Sequence, residues 1–114
     1  MLAASLDDTL GALADPTRRQ VVDLLRKHPR RAGELAAAVA VSPPAMSRHL
    51  RVLRIRGLVE EEREDRDSRV RVYRLRREKF AELQGWLREV EAFWTDQLDS
   101  FRAHVEGKTK GRRP

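Results

Sequence analysis

The chain has 114 residues, 40% of them hydrophobic and 37% charged, with a formal net charge of +6 and an isoelectric point near 10.7. That length leaves room for one domain with a thin core, for which burial against a partner subunit is a reasonable expectation, and the charge favours polyanions, either nucleic acid or an acidic membrane surface. The lack of cysteine excludes disulfides, thiolate metal sites and thiol redox sensing, and with no long apolar run or signal-like start the chain is expected in the cytoplasm.

Leu2, Leu6, Leu10 and Leu13 recur at helical spacing and predict a first amphipathic helix. Asp15-Pro16 stops it and starts the next: the carboxylate can accept from orphan N–H groups, and a proline at the first helical position loses no bond. Val21, Val22, Leu24 and Leu25 give that second helix a buried stripe up to Lys27, before His28-Pro29 breaks the pattern. Gly33 to Val39 reads as a short third helix, with Leu35, Ala36 and Val39 facing inward.

Ser42 is a good N-cap for a fourth helix, with Pro43 and Pro44 tolerated in a first turn whose N–H groups have no intrahelical partner. Met46, Leu50 and Leu53, flanked by Val52 and Ile55, supply its inward face, while Ser47, Arg48, Arg51 and Arg54 sit largely on the other. Residues 42–56 hold four arginines and no acid, and Gly57 is a natural left-handed C-cap. Leu58 to Glu64 and Val70 to Leu75 then alternate around Asp65-Arg66-Asp67-Ser68, a hairpin with a polar tip. Glutamates on its first strand are expected to face arginines on the second.

From Glu78 to Glu106, Leu83, Leu87, Val90, Trp94, Leu98, Phe101 and Val105 step by three or four along one long helix, widened by Trp86 and Phe93. So aromatic a stripe suits a shared dimer core better than a ligand pocket. Gly85 would permit a close backbone approach. The domain is expected to span residues 1–106, with 107–114 as a basic, disordered tail.

This order makes a mainly α fold with one β-hairpin, and contains a helix-turn-helix (Gly33–Val39, then Ser42–Arg56) followed by a wing. In that arrangement the second helix enters the major groove, its N-terminal residues reach base edges, and arginines further along hold phosphates. Free N–H groups at its start are expected to favour phosphate as well. Ser47 and His49 lie two apart on a helix and point to different faces, so they form no nucleophile–base pair. With no glycine-rich phosphate loop and no paired-carboxylate cleft, the chain is not expected to be an enzyme. Two other readings compete with a specific DNA reader: an architectural binder driven by charge alone, and a protein-interaction module that docks through the aromatic last helix.

The segments ALADPTRRQVVDLL (Ala12–Leu25), AGELAAAVAVSPPAMSRHLRVLRIRGLVEEERE (Ala32–Glu64) and RVYRL (Arg71–Leu75) resemble the ArsR/SmtB family of winged-helix repressors. The similarity covers roughly residues 5–105, and is strongest to the branch with ADPTRR and a tryptophan-rich last helix, which generally lacks the founding metal sites. The resemblance implies a homodimer on a near-palindromic operator, repressing transcription, commonly of its own operon. It places Pro43, Pro44, Ser47 and Arg48 at base-reading positions, with Ala45 and His49 beside them and Arg66 and Arg69 at the wing. Pro43 departs from the polar residue common there and cannot donate to a base, which shifts direct reading to Ser47 and Arg48. His49 is equally well read as a packing residue. Dimerisation is implied through the first and last helices, here Leu6, Leu10, Leu83, Leu87, Val90, Trp94, Leu98 and Phe101.

Metal sensing is not expected. Glu34-Leu35-Ala36-Ala37-Ala38 stands where relatives carry thiolates, and the last helix offers only Asp96, Asp99, His104 and Glu106. No cofactor is implied. What releases the DNA is open between a small apolar molecule, a protein partner and simple autoregulation.

Overall fold

A computed structural model describes residues 2–65 and 69–111. In chain order the elements are α1 (Leu2–Leu13), α2 (Pro16–Leu25), α3 (Ala32–Ala38), α4 (Pro43–Ile55), β1 (Val59–Arg63), β2 (Arg71–Leu75) and α5 (Arg77–Gly111). The chain falls into two units, Met1–Leu83 and Gln84–Pro114.

The first unit holds the core. Ala12 of α1, Val21 and Leu25 of α2, Leu35 and Ala36 of α3, Met46, Leu50 and Leu53 of α4, then Leu58 and Val59 form one buried cluster. α2, α3 and α4 contribute residues that their periodicity predicts, because spacings of three and four return a side chain to the same face, whereas α1 turns Thr9 and Ala12 inward and leaves Leu10 of the predicted leucine stripe exposed. Phe80, at the start of α5, packs against the cluster from outside. Burying each large aliphatic side chain stabilises the unit by about 1.5–3 kcal/mol.

Helix starts follow the cap chemistry. Asp15 is extended and its Oδ1 accepts from the Arg18 N–H at 3.1 Å, with Pro16 as first helical residue. Ser42 repeats the device, its Oγ accepting from the Ala45 N–H at 3.2 Å. α3 begins one residue earlier than Gly33, at Ala32; there the Glu34 carboxylate reaches back to the Arg31 N–H at 3.3 Å. Gly57 closes α4 with a φ of 82°, a left-handed geometry that glycine adopts freely.

β1 and β2 pair antiparallel, with Val59 opposite Leu75, Glu60 opposite Arg74 and Glu61 opposite Tyr73. Arg30 adds a short third partner: its N–H donates to the Tyr73 carbonyl at 3.1 Å and its carbonyl accepts from the Tyr73 N–H at 2.8 Å. The expected facing of glutamates and arginines holds for one opposed pair, Glu60 and Arg74. Glu62 instead faces Val72 and reaches Arg74 diagonally at 3.5 Å.

The second unit is nearly all of α5 beyond Leu83. Within it Leu87, Phe93, Trp94, Leu98, Phe101 and Val105 are exposed, and the Phe93 and Trp94 rings meet edge to face at 5.6 Å. A Cβ on Gly85 would meet nothing within 4 Å, so its close approach has no partner among the described residues. α5 also runs through Gly111, where the sequence reading places a disordered tail from residue 107. A glycine such as Gly107 weakens a helix by about 1 kcal/mol without blocking it.

Candidate nucleic-acid interface

α3 and α4 are joined by a tight turn. The Val41 N–H donates to the Ala36 carbonyl at 3.1 Å and Ala40 N–H to the Ala37 carbonyl at 3.3 Å. Making that turn puts Ala40 in the left-handed region, φ 57°, a conformation that costs an L-residue about 1–2 kcal/mol.

α4 has three sides. Met46, Leu50 and Leu53 face the core. Pro43, Pro44, Ser47, Arg48 and Arg51 are exposed, while Ala45 and His49 are half-buried at the edges. Ile55, expected on the inward face, is 68% exposed. At about 100° per residue it lies some 20° from the direction of Arg48 and roughly opposite the core line. The exposed line of α4 is therefore Pro44, Arg48, Arg51 and Ile55, steps of four, three and four.

The arginines of this helix differ in what they touch. Arg54 Nη1 donates to Glu61 Oε2 of β1 at 2.9 Å, and Arg56, the C-cap, lies 3.6 Å from Asp8 Oδ1 of α1. Glu61 also takes Arg71 at 3.6 Å, and together with burial it pushes the neighbouring Tyr73 hydroxyl above its ordinary range, burial being the larger cause. Glu61, just after α4, and Asp8 of α1 thus pair the arginines at its far end. Arg48 and Arg51 have no ion pair or hydrogen bond among the described residues and stand free on the exposed line.

The start of α4 also differs from expectation. Pro43 and Pro44 have no N–H, the Ala45 N–H is held by Ser42 Oγ, and the Met46 N–H donates to the Ser42 carbonyl at 2.9 Å. Within the first helical turn, Pro43 to Met46, no backbone donor is left for a phosphate. The two prolines remove the groups on which an anion site at a helix start depends.

His49 turns away from the exposed line. Its Nδ1 lies 3.4 Å from Arg18 Nη1, and because arginine carries only donors, the contact is a hydrogen bond only where Nδ1 bears no proton. Arg18 escaped the sequence reading. Its Nε donates to the Ala12 carbonyl at 2.6 Å and its Nη2 to the Gly11 carbonyl at 3.3 Å. One side chain thus caps the end of α1 and touches α4. The ADPTRR string contains it, but nothing local marks its partners.

At the wing, Arg69 is exposed and Asp65 closes the described part of the tip; Arg66, Asp67 and Ser68 lie outside the described residues. Arg31 Nη2 bonds Glu64 Oε2 at 2.7 Å, tying the start of α3 to the wing. Of the residues expected at a dimer contact, Leu6, Leu83 and Val90 are half-buried and Leu10, Leu87, Trp94, Leu98 and Phe101 exposed. Among the described residues no three His, Asp or Glu side chains converge as metal ligands would, and no helix is long and apolar enough to cross a membrane.

A two-helix turn with a free basic line, followed by an antiparallel hairpin, defines a winged helix-turn-helix DNA-binding protein. Residues 15–61 match the family described as bacterial regulatory protein, arsR family. The HTH-type transcriptional regulator Rv2034 of Mycobacterium tuberculosis is 37% identical over 105 residues, 91% of this chain and 92% of its own. The transcriptional repressor SdpR of Bacillus subtilis is 33% identical over 58 residues, 51% of this chain and 64% of that protein. Among solved structures, the homodimeric winged helix-turn-helix DNA-binding domain of Mb0332 from Mycobacterium bovis, a possible ArsR-family transcriptional regulator, matches with a TM-score of 0.63 at 30% identity, covering 80% of this chain and 82% of that one. This chain belongs to the arsR family of bacterial transcriptional regulators; it is a DNA-binding regulator and not an enzyme.

Proposed function

We propose that the chain acts in the cytoplasm as a homodimeric, sequence-specific repressor that binds a near-palindromic operator, its own promoter region included. The observation that carries this reading is the line on α4 where Arg48 and Arg51 stand free while Arg54 and Arg56 are paired. A binder driven by charge alone gains nothing from neutralising half of its basic helix. Arg48, one turn in from the start, reads guanine through O6 and N7; Ser47 beside it contacts an adjacent base, and Arg51, Arg69 and Arg66 hold phosphates. The exposed aliphatic and aromatic line of α5 supports a dimer, as does the homodimeric relative from Mycobacterium bovis. Repression has its support in the likeness to SdpR.

Residue roles are separated by titrating Arg48→Ala and Arg51→Ala on a preferred duplex and on random DNA over a range of salt. Arg48→Ala is expected to lose about 1–3 kcal/mol more on the preferred duplex than on random DNA. Arg51→Ala is expected to weaken both alike and to reduce the salt slope by about one. Equal losses from Arg48→Ala on the two duplexes would make Arg48 a phosphate anchor and remove the basis for specific reading.

A further inference from the structure

The exposed line of α4 carries two kinds of chemistry, and only the arginines are accounted for above. Pro44 leads the line, one helical turn before Arg48, and is exposed. Its ring presents only carbon. The first turn from Pro43 to Met46 gives no free backbone donor, since Pro43 and Pro44 have none and the Ala45 and Met46 N–H groups are bonded to Ser42. Such a surface gains nothing from the acceptors of guanine or adenine, nor from a phosphate. The apolar feature that the major groove offers it is the C5-methyl group of thymine.

We infer that Pro44 is a specificity-determining residue that reads a thymine methyl in each half-site. This rests on the reading of α4 as the recognition helix. Along the helix axis four residues span about 6 Å, and successive bases on a strand rise about 3.4 Å. The thymine under Pro44 therefore lies within about two base pairs of the guanine under Arg48. The preferred half-site pairs an apolar step with a guanine step, in the order in which Pro44 and Arg48 occur on α4.

Replacing thymine by deoxyuridine removes that methyl and leaves every hydrogen-bonding group in place. The probe is the duplex that the full-length protein selects from random DNA, with each thymine replaced in turn. Burying one methyl is worth about a fourfold change in affinity, so substitution in both half-sites of a dimer should weaken binding by about fifteenfold. In Pro44→Ala, which keeps only the Cβ of the ring, the preference for thymine over deoxyuridine should fall well below about fifteenfold. Circular dichroism, expected to be unchanged, shows that the variant is folded, and the thymine and deoxyuridine duplexes are compared within each protein, so that a general change in affinity from the restored N–H cancels.

A selected duplex indifferent to deoxyuridine at every position would overturn the inference and leave specific reading intact. Methyl sensitivity that persists undiminished in Pro44→Ala would overturn it too, by assigning the methyl to another side chain. Failure to select any duplex over random DNA would sink the reading of α4 itself, and this inference with it.

Discussion

Asp15 separates α1 from α2, and its carboxylate accepts from the Arg18 N–H at 3.1 Å. That bond, ahead of the attraction of the Arg18 and His49 side chains, holds the carboxyl below the usual carboxylate range. A carboxyl lowered on folding contributes stability that is whole above its unfolded value, about 3.9, and is lost as the pH falls through the folded value. Asp15→Ala should therefore cost about 1 kcal/mol at neutral pH, and the loss should shrink as the pH falls below the unfolded value of about 3.9. Asp15→Asn keeps a capping oxygen and should cost less at neutral pH while flattening the acid limb. Urea unfolding at pH 7 and pH 3, at one protein concentration, checks both. A loss in Asp15→Ala as large at pH 3 as at pH 7 would place the effect outside the carboxylate. Arg18, by contrast, is a residue whose importance comes from assembly alone: the carbonyls of Gly11 and Ala12 and the ring of His49 meet it only in the folded unit.

Elements with chemically marked ends were legible in the sequence. Asp15-Pro16 and Ser42-Pro43-Pro44 start helices, and Gly57 ends one, because caps, prolines and left-handed glycines act over three or four residues. The candidate face of α4 was half legible. Arg48 and Arg51 fall where periodicity puts them, but Ile55 was read by its chemistry instead of its angle and turned out to lie among the arginines. The neutralisation of Arg54 by Glu61 needed the strand register, which alternation alone does not set. The turn between α3 and α4 hid its strain, because the left-handed residue there is Ala40 and not glycine. Ala40→Gly should raise stability, by about 0.5–1 kcal/mol once the greater freedom of glycine in the unfolded chain offsets part of the relief. Chemical denaturation measures this directly; an unchanged or lower midpoint would mean that the turn is not strained at Ala40.

On the scale of the whole molecule, a small core and a long apolar line share one chain. The buried cluster belongs entirely to the first unit, while in the second Trp94 is 59% and Phe101 68% exposed. A monomer that kept such a line in water would be prone to aggregate. Trp94→Asp places a charge on that line and should yield a monomer by sedimentation, with operator affinity falling steeply because one half-site alone binds weakly. A variant that still sediments as a dimer would move the interface elsewhere.

A specific repressor must read one DNA sequence against others. A fluorescence-anisotropy titration at physiological salt measures that discrimination, comparing duplex from just upstream of the chain's own gene with a scrambled duplex of equal composition. A preference of about a thousandfold or more for the upstream duplex is expected. Equal binding to the two, with the same steep dependence on salt, would rule out specific reading and make the basic line of α4 a grip on the DNA backbone alone.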